Sequence, residues 1–429
     1  MEEEFHNHMR IPWHDYTRKS IGRPITEASL SEKASIIGRT GIMLLSCGTG
    51  AWRVRSSMNT LARELGITCT ADIGLLSIEY TCIDGGNCYT ESLCLFNTGV
   101  NTSKLYRMEE FVNKFAGNCK KMSGDELHTL LDRIHEIHGF YSPPFLGLAA
   151  AVACCAFTFL LGGGPVEMFC AFLGAGAGNY LRAKMNQHHL TLFLCTAASV
   201  ALACIVYTIA FTALKSGFHV SIHHQAGYIC SMLFIIPGFP FITSGIDLAK
   251  LDIRSGIERL TYSAIIVLVA TVFAWIMALI LHLQPEEFSS LNIGNITHLI
   301  LRLTASFCGV FGFSIMFNSS IPMAATTAVI GAIANTLRLE LVDFTAIPAA
   351  AAAFIGAVTA GLLASFIKKY NGYPRISLTV PSIVIMVPGL YLYRAIYNFG
   401  IMSLTEAVSW FTSAVMITVS YTHLRAHET

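Results

Sequence analysis

Two tetrapeptides, Ile235-Ile-Pro-Gly238 and Met386-Val-Pro-Gly389, decide how this chain is read. Each Pro-Gly pair falls inside an apolar run able to cross a bilayer, His224–Leu248 and Val380–Phe399. Proline removes a backbone donor and clashes with the preceding turn, and glycine lets the chain unwind, so both runs should break at mid-membrane. Unpaired backbone groups are tolerated at that depth only where they line a cavity or meet a ligand. A broken helix also presents a positively polarised N-terminus to a carboxylate. Pro237, Gly238, Pro388 and Gly389 are therefore the first candidate substrate-binding residues. A kink that serves packing alone is the competing reading.

The two breaks stand 151 residues apart, and they are not the only matched pair. Gly174-Ala-Gly-Ala-Gly-Asn179-Tyr-Leu-Arg182 and Gly331-Ala-Ile-Ala-Asn335-Thr-Leu-Arg338 repeat at an offset of 156 between the two Asn. Their glycines suit close helix approach, and Asn179 and Asn335 join the candidates. Around them, Pro144–Gly162, Leu190–Leu214, Leu260–Leu283 and Thr345–Ile367 contain no Asp, Glu, Lys or Arg. Gly164–Leu181, Ile296–Phe317, Ile321–Leu337 and Glu406–Ser420 are less apolar but plausible spans. The expected fold is a polytopic α-helical membrane protein of about ten transmembrane helices in two five-helix repeats. Five is odd, so the repeats enter the bilayer with opposite polarity, the arrangement of many secondary transporters.

The chain has 429 residues, 53% of them hydrophobic and 13% charged, and 32 of its 55 charged residues precede position 141. A soluble first third thus precedes a membrane part. The expected division is a flexible arm over 1–28, a cytosolic α+β domain over 29–140, membrane units over 141–285 and 286–420, and a terminal stretch over 421–429. In the soluble domain, capping boxes at Ser29–Glu32 and Ser123–Glu126 start helices. The first is read as one amphipathic run ending at Gly66. Strands are expected over Ile67–Cys82 and Cys88–Phe96, joined by a hairpin at Asp84-Gly85-Gly86-Asn87.

Signs of chemistry in this domain are weak. Gly48-Thr-Gly50 lacks the third glycine and preceding strand of a nucleotide loop, and close helix packing explains it. Cys82, Cys88 and Cys94 are poorly spaced for zinc and read as buried strand residues. His128, His135 and His138 read as a hydrated helix face. No G-x-S-x-G occurs. Thirteen cysteines without a CxxC suggest reduced thiols, and the acidic Met1-Glu-Glu-Glu start is unlike a signal peptide. A net charge of +1 argues against nucleic acid as a partner.

Ionisable groups near the membrane are few. Glu167 opens the second span and Asp247 ends the fourth, so both are candidates for proton coupling, with interfacial placement or a structural salt bridge as the alternative. Arg394, in the ninth span, is a candidate for a substrate carboxylate; Arg302, in the sixth, is read as reaching toward the headgroups. Arg182, Lys184, Lys250, Arg254, Arg259, Lys368, Lys369 and Arg375 fall in loops on the side of the soluble domain, which places the N-terminus inside.

Taken in order, these features resemble the threonine/serine exporter family in its fused form. They are the soluble helix–sheet domain, the Gly/Ala-rich second span, Pro-Gly in the fourth, the Asp247-Leu-x3-Asp252-x3-Gly256-x2-Arg259 run, and a second five-span unit with its own Pro-Gly. The resemblance covers about residues 30 to 420. It implies multi-pass placement in the plasma or inner membrane and proton-motive-force-driven export of small hydroxy amino acids such as threonine and serine. Export of a dicarboxylate such as succinate is the alternative, and a membrane-anchored hydrolase a more remote one. No cofactor, metal or catalytic residue is expected, and the partners are the substrate, protons and lipid, with a homo-oligomer compatible. Tyr421–Thr429 breaks from the membrane pattern and looks like a translated sequencing-adapter tail, or else a short cytosolic tail.

Overall fold

The computed structural model describes residues 11–18, 22–137, 139–218, 222–283, 288 and 293–427. The chain divides into two compact units, Met1–His138 with Asp252–Ser255, and Gly139–Leu251 with Gly256–Thr429.

In the first unit both capping boxes form. The Ser29 hydroxyl accepts from the Glu32 N–H and the Glu32 carboxylate accepts from the Ser29 N–H, launching α1 (Leu30–Ser46). One run was expected here, but the structure has two helices, α1 and α2 (Ala51–Glu64). Gly48 separates them at φ +84°, where a Cβ would lie 2.6 Å from the Gly99 carbonyl oxygen. Gly48-Thr-Gly50 is thus a turn that only glycine can begin, rather than a helix-packing pair.

The first expected strand also divides, into β1 (Thr68–Ile73) and β2 (Ser77–Asp84). β3 (Asn87–Cys94) completes an antiparallel sheet of order β1-β2-β3. Gly85 and Gly86 adopt φ +53° and +92°, the paired positive values that a two-residue type I′ hairpin needs. One face of the sheet buries Ile73, Ile78, Tyr80, Cys82 and Leu93. Cys88 and Cys94 are exposed, which corrects the expectation of three buried cysteines. Opposite Ile83 and Ser77, they fall on the alternate face from Cys82. α3 (Thr102–Asn118) and α4 (Gly124–His135) close the unit, α4 from the Ser123–Glu126 box.

Within the 1–28 segment expected to be flexible, Trp13–Thr17 forms a turn that is tied down. His14 bonds Asp125 through Nδ1 at 2.6 Å and Asp132 through Nε2 at 2.8 Å. These two hydrogen bonds raise its pKa above the ordinary value. Trp13 stacks on His128, which is fully buried and bonded to Ser35 and Arg39. His128 is therefore a core residue and not part of a hydrated face. Burial, and then the Arg39 charge, push its pKa down to about 3. His138 lies outside the described residues.

The second unit is helical. In order it holds α5 (Pro143–Leu160), α6 (Pro165–Gln187), α7 (Leu192–Phe218), a tight 3-10 segment Ile222–Ile235, α8 (Gly238–Ala249) and α9 (Ile253–Leu281). Then follow α10 (Asn295–Met316), α11 (Ile321–Phe344), α12 (Ala349–Asn371), α13 (Arg375–Ile383), α14 (Gly389–Gly400) and α15 (Leu404–His427). Among the described residues six of these helices are long and apolar enough to cross a membrane. Two bent pairs, Gly227–Ile235 with α8 at 61° and Arg375–Met386 with α14 at 45°, are apolar enough as well, each as a broken span or a re-entrant loop. α6 and α15, with 23 and 24 residues, have the length but carry more polar residues. The protein is thus a polytopic α-helical membrane protein preceded by a small α+β part. Side chains from Tyr421 onward lie outside the described residues.

Small residues set the packing. A Cβ on Gly174 of α6 would lie 2.7 Å from the Ala203 carbonyl oxygen in α7, and one on Gly312 of α10 would lie 2.5 Å from the Ala149 carbonyl oxygen in α5. Backbones meet where lipid supplies no competing hydrophobic drive, so close van der Waals fit holds the helices together.

Candidate functional site: the crossing of two broken helices

The breaks are built alike. Pro237 has φ −80° and ψ 63°, and Pro388 φ −79° and ψ 53°. The Gly238 N–H donates to the Ile236 carbonyl at 2.8 Å, and the Gly389 N–H to the Val387 carbonyl at 2.8 Å. Both prolines therefore occupy the centre of an inverse γ-turn. Helices resume at once, with the Phe241 N–H on the Pro237 carbonyl and the Leu392 N–H on the Pro388 carbonyl, each at 3.1 Å. Two sequences 151 residues apart thus fold into the same break because proline fixes φ and withholds a donor.

The breaks also touch each other reciprocally. A Cβ on Gly238 would meet Val384 Cγ2 at 2.3 Å, and one on Gly389 would meet Ile236 Cγ1 at 3.1 Å. Each glycine thus faces the segment that leads into the opposite break. A cavity of about 50 Å3 lies here, lined among others by Leu233, Gly238, Arg338, Pro388, Gly389 and Tyr391. Its walls are mostly apolar, and Arg338 is its charged member. Leu390 and Tyr391 also line it; they stand in the first turn of α14, where backbone N–H groups have no partner inside the helix. The Arg338 guanidinium donates to the Asn335 side-chain oxygen at 3.4 Å, and it stands with a helix N-terminus at one small cavity.

Of the residues expected from sequence, the structure brings Pro237, Gly238, Pro388 and Gly389 together. Asn335 adjoins them only through the cavity-lining Arg338, and the others lie elsewhere. Asn179 donates to the Leu146 carbonyl of α5 at 2.7 Å, and Asn335 to the Ser306 hydroxyl of α10 at 2.9 Å. In each half the second helix is thus pinned to the first by an equivalent amide. Arg394 places its guanidinium carbon 4.7 Å from the centre of the Trp410 ring of α15. Arg302 pairs with Glu340 at 2.8 Å and with Asp343 rather than extending alone toward headgroups.

Glu167 is buried at the N-terminus of α6, where a carboxylate oxygen accepts from the Gly164 N–H at 3.0 Å. It packs beside Gly227, at the start of the first bent pair. Asp247, fully buried near the end of α8, meets Arg259 Nε at 3.3 Å. The two acids therefore flank one bent helix pair at its two ends. Met323 and Asn398 occupy the matching positions of the second half, so both acids belong to the first.

Sequence reasoning missed Arg338 as a lining residue, although it closes the Asn335-Thr-Leu-Arg338 repeat. It also gave no role to Val384 and Ile236, the residues that fit against the opposite glycines.

Comparison with known proteins agrees with this architecture. Residues 35–282 match the family described as "Putative threonine/serine exporter", and residues 302–422 match "Threonine/Serine exporter, ThrE". The "Probable succinate transporter subunit YjjP" of Escherichia coli (strain K12) is 24% identical over 243 residues, 56% of this chain and 90% of its own. Its namesake in Klebsiella aerogenes is 22% identical over 241 residues, 56% of this chain and 89% of its own. No solved structure matches. With the first family match alone spanning more than half of its length, the chain belongs to the threonine/serine exporter family.

Proposed function

We propose that this membrane transporter exports small hydroxy amino acids, threonine or serine, from the cytosol and is driven by the proton motive force. The observation that carries this reading is the crossing of the two Pro-Gly breaks. There, Arg338 and the first turn of α14 border one cavity and suit the carboxylate of a small zwitterion. A volume of about 50 Å3 holds water but not an amino acid, so loading requires the two bends to separate. Glu167 and Asp247 are the proton-coupling candidates, buried at opposite ends of the first bent helix pair. The excess of Lys and Arg at the helix ends around Arg182, Lys250 and Lys368 supports a cytosolic N-terminus in the plasma or inner membrane.

The test is efflux from proteoliposomes loaded with threonine, serine or succinate, with and without a pH gradient. Threonine or serine efflux accelerated by the gradient is expected, and a raised KM for it in Arg338→Gln while the protein still inserts. Gradient-independent efflux would remove the proton from the scheme. A second reading, export of a dicarboxylate, is favoured by the names of the two relatives. Under it, succinate is the moving species and both amino acids are inert.

A further inference from the structure

One buried hydrogen bond joins the two halves and has no part in the geometry above. Tyr228 precedes the first break, and Tyr393 lies one helical turn beyond Gly389 in α14. Their hydroxyl oxygens are 2.5 Å apart, and the rings meet edge to face with centroids 6.1 Å apart. Both side chains are buried, at 0% and 1% exposure. Among the described residues neither hydroxyl has another hydrogen-bond partner. Two phenols bonded only to each other leave one O–H without an acceptor, and spare lone pairs on both oxygens. Buried donors are rarely left in that condition, because each costs its full desolvation without return.

The repeat sharpens the point. The 151-residue shift that carries Pro237 to Pro388 carries Tyr228 to Thr379 and Ile242 to Tyr393. Thr379 donates to the Arg375 carbonyl of its own helix at 2.7 Å, and Ile242 has no polar side-chain atom. The halves agree in the backbone of their breaks and differ here. One side of the crossing carries a hydroxyl pair; the related side carries none. Packing symmetry does not require the pair.

We infer that Tyr228 and Tyr393 form the station that recognises the substrate's side-chain hydroxyl. This rests on the amino-acid export reading above. The tyrosine–tyrosine bond opens as the halves part, and the substrate hydroxyl enters between the two phenols. A hydroxyl both donates and accepts, so it takes up the unused O–H and a phenolic lone pair together. The ligand class is a small amino acid bearing a β-hydroxyl. An alkyl side chain in the same place would leave two phenols unmatched, and sites built for a hydroxyl reject analogues lacking it on that ground.

The experiment compares threonine with 2-aminobutyrate, which lacks the hydroxyl, in proteoliposomes carrying wild type, Tyr228→Phe or Tyr393→Phe. Wild type is expected to favour threonine. Each Phe variant is expected to raise the KM for threonine about tenfold, the value of one hydrogen bond, and to lower that for 2-aminobutyrate, because one unmatched phenol is gone. Retained 2-aminobutyrate transport shows that the variant has folded. If one variant fails to insert, the other, on the opposite half, carries the same expectation. Equal shifts for both substrates, or none for either, would overturn the assignment. Should wild type move succinate and neither amino acid, the functional reading itself falls, and that outcome is visible before any variant is made.

Discussion

A methyl group on Gly238 would stand 2.3 Å from Val384 Cγ2, closer than two carbon atoms can approach without displacement. Val384 belongs to the short 3-10 turn leading into the opposite break, so side chains at this point are limited by the other half of the molecule.

That contact ranks two substitutions. Gly238→Ala must push Val384 aside, and overpacking of this kind costs about 1–3 kcal/mol. Gly389→Ala meets Ile236 Cγ1 at 3.1 Å, which a small shift relieves. Efflux is expected to fall about tenfold or more in the first and only a few-fold in the second, and Gly238→Leu should abolish it while insertion persists. Wild-type efflux in Gly238→Leu would remove the crossing from the transport path.

Two membrane arginines differ in their relation to the cavity. Arg338 lines the cavity, whereas Arg394 rests over Trp410. Arg338→Gln is expected to raise the KM for the transported carboxylate by about tenfold or more, since a charged hydrogen bond is worth about 1.5–3 kcal/mol. Arg394→Gln should leave KM near wild type and lower the melting temperature. The reverse ranking would return the anion site to Arg394.

The buried acids call for different tests. Asp247→Asn removes the carboxylate charge that Arg259 meets at 3.3 Å, and breaking a buried pair costs about 3–5 kcal/mol. A large loss of thermal stability is expected, with recovery when Arg259→Met is added to Asp247→Leu. Glu167→Gln keeps an oxygen to accept from the Gly164 N–H, so it should fold normally. If Glu167 carries the coupling proton, efflux in that variant no longer responds to a pH gradient; an unchanged response clears Glu167 of the role.

Docking of the Trp13–Thr17 turn should depend on pH. Asp125 and Asp132 raise the His14 pKa, with Arg39 also on Asp132 and the neutral His128 ring alongside. The raised folded value means that His14 contributes fully below about pH 6.5, its ordinary value, and that the contribution is lost as pH climbs through the raised one. His128 acts in the other sense. Its lowered pKa means that stability erodes as pH falls below about 6.5, where an unfolded chain takes a proton that the buried ring refuses until about pH 3. Trp13 fluorescence, followed in wild type and His14→Gln, should show release at alkaline pH in the first and no such step in the second.

Local chemistry was readable in the sequence; partnership across the fold was not. Proline at 237 and 388 acts on its own turn, and Ser29 and Ser123 cap within three residues, so these features could be seen in the chain. The His14 carboxylates lie 111 and 118 residues away, and nothing near His14 points to them. Arg338 and Arg394 are both cations on membrane helices. Which of them turns toward the cavity depends on how each helix is rotated about its axis, and that is set by glycine contacts with neighbours. Amphipathic spacing carried α1 and α2 through as one helix because Gly48 interrupts the backbone without disturbing the apolar pattern.

The mutual fit of Gly238 with Val384 and of Gly389 with Ile236 works like meshed teeth. Neither bend can straighten or swing without shifting the other, so a motion begun where one half opens is delivered to the half that must close. Under the export reading proposed above, gearing of this kind would keep both faces from opening at once.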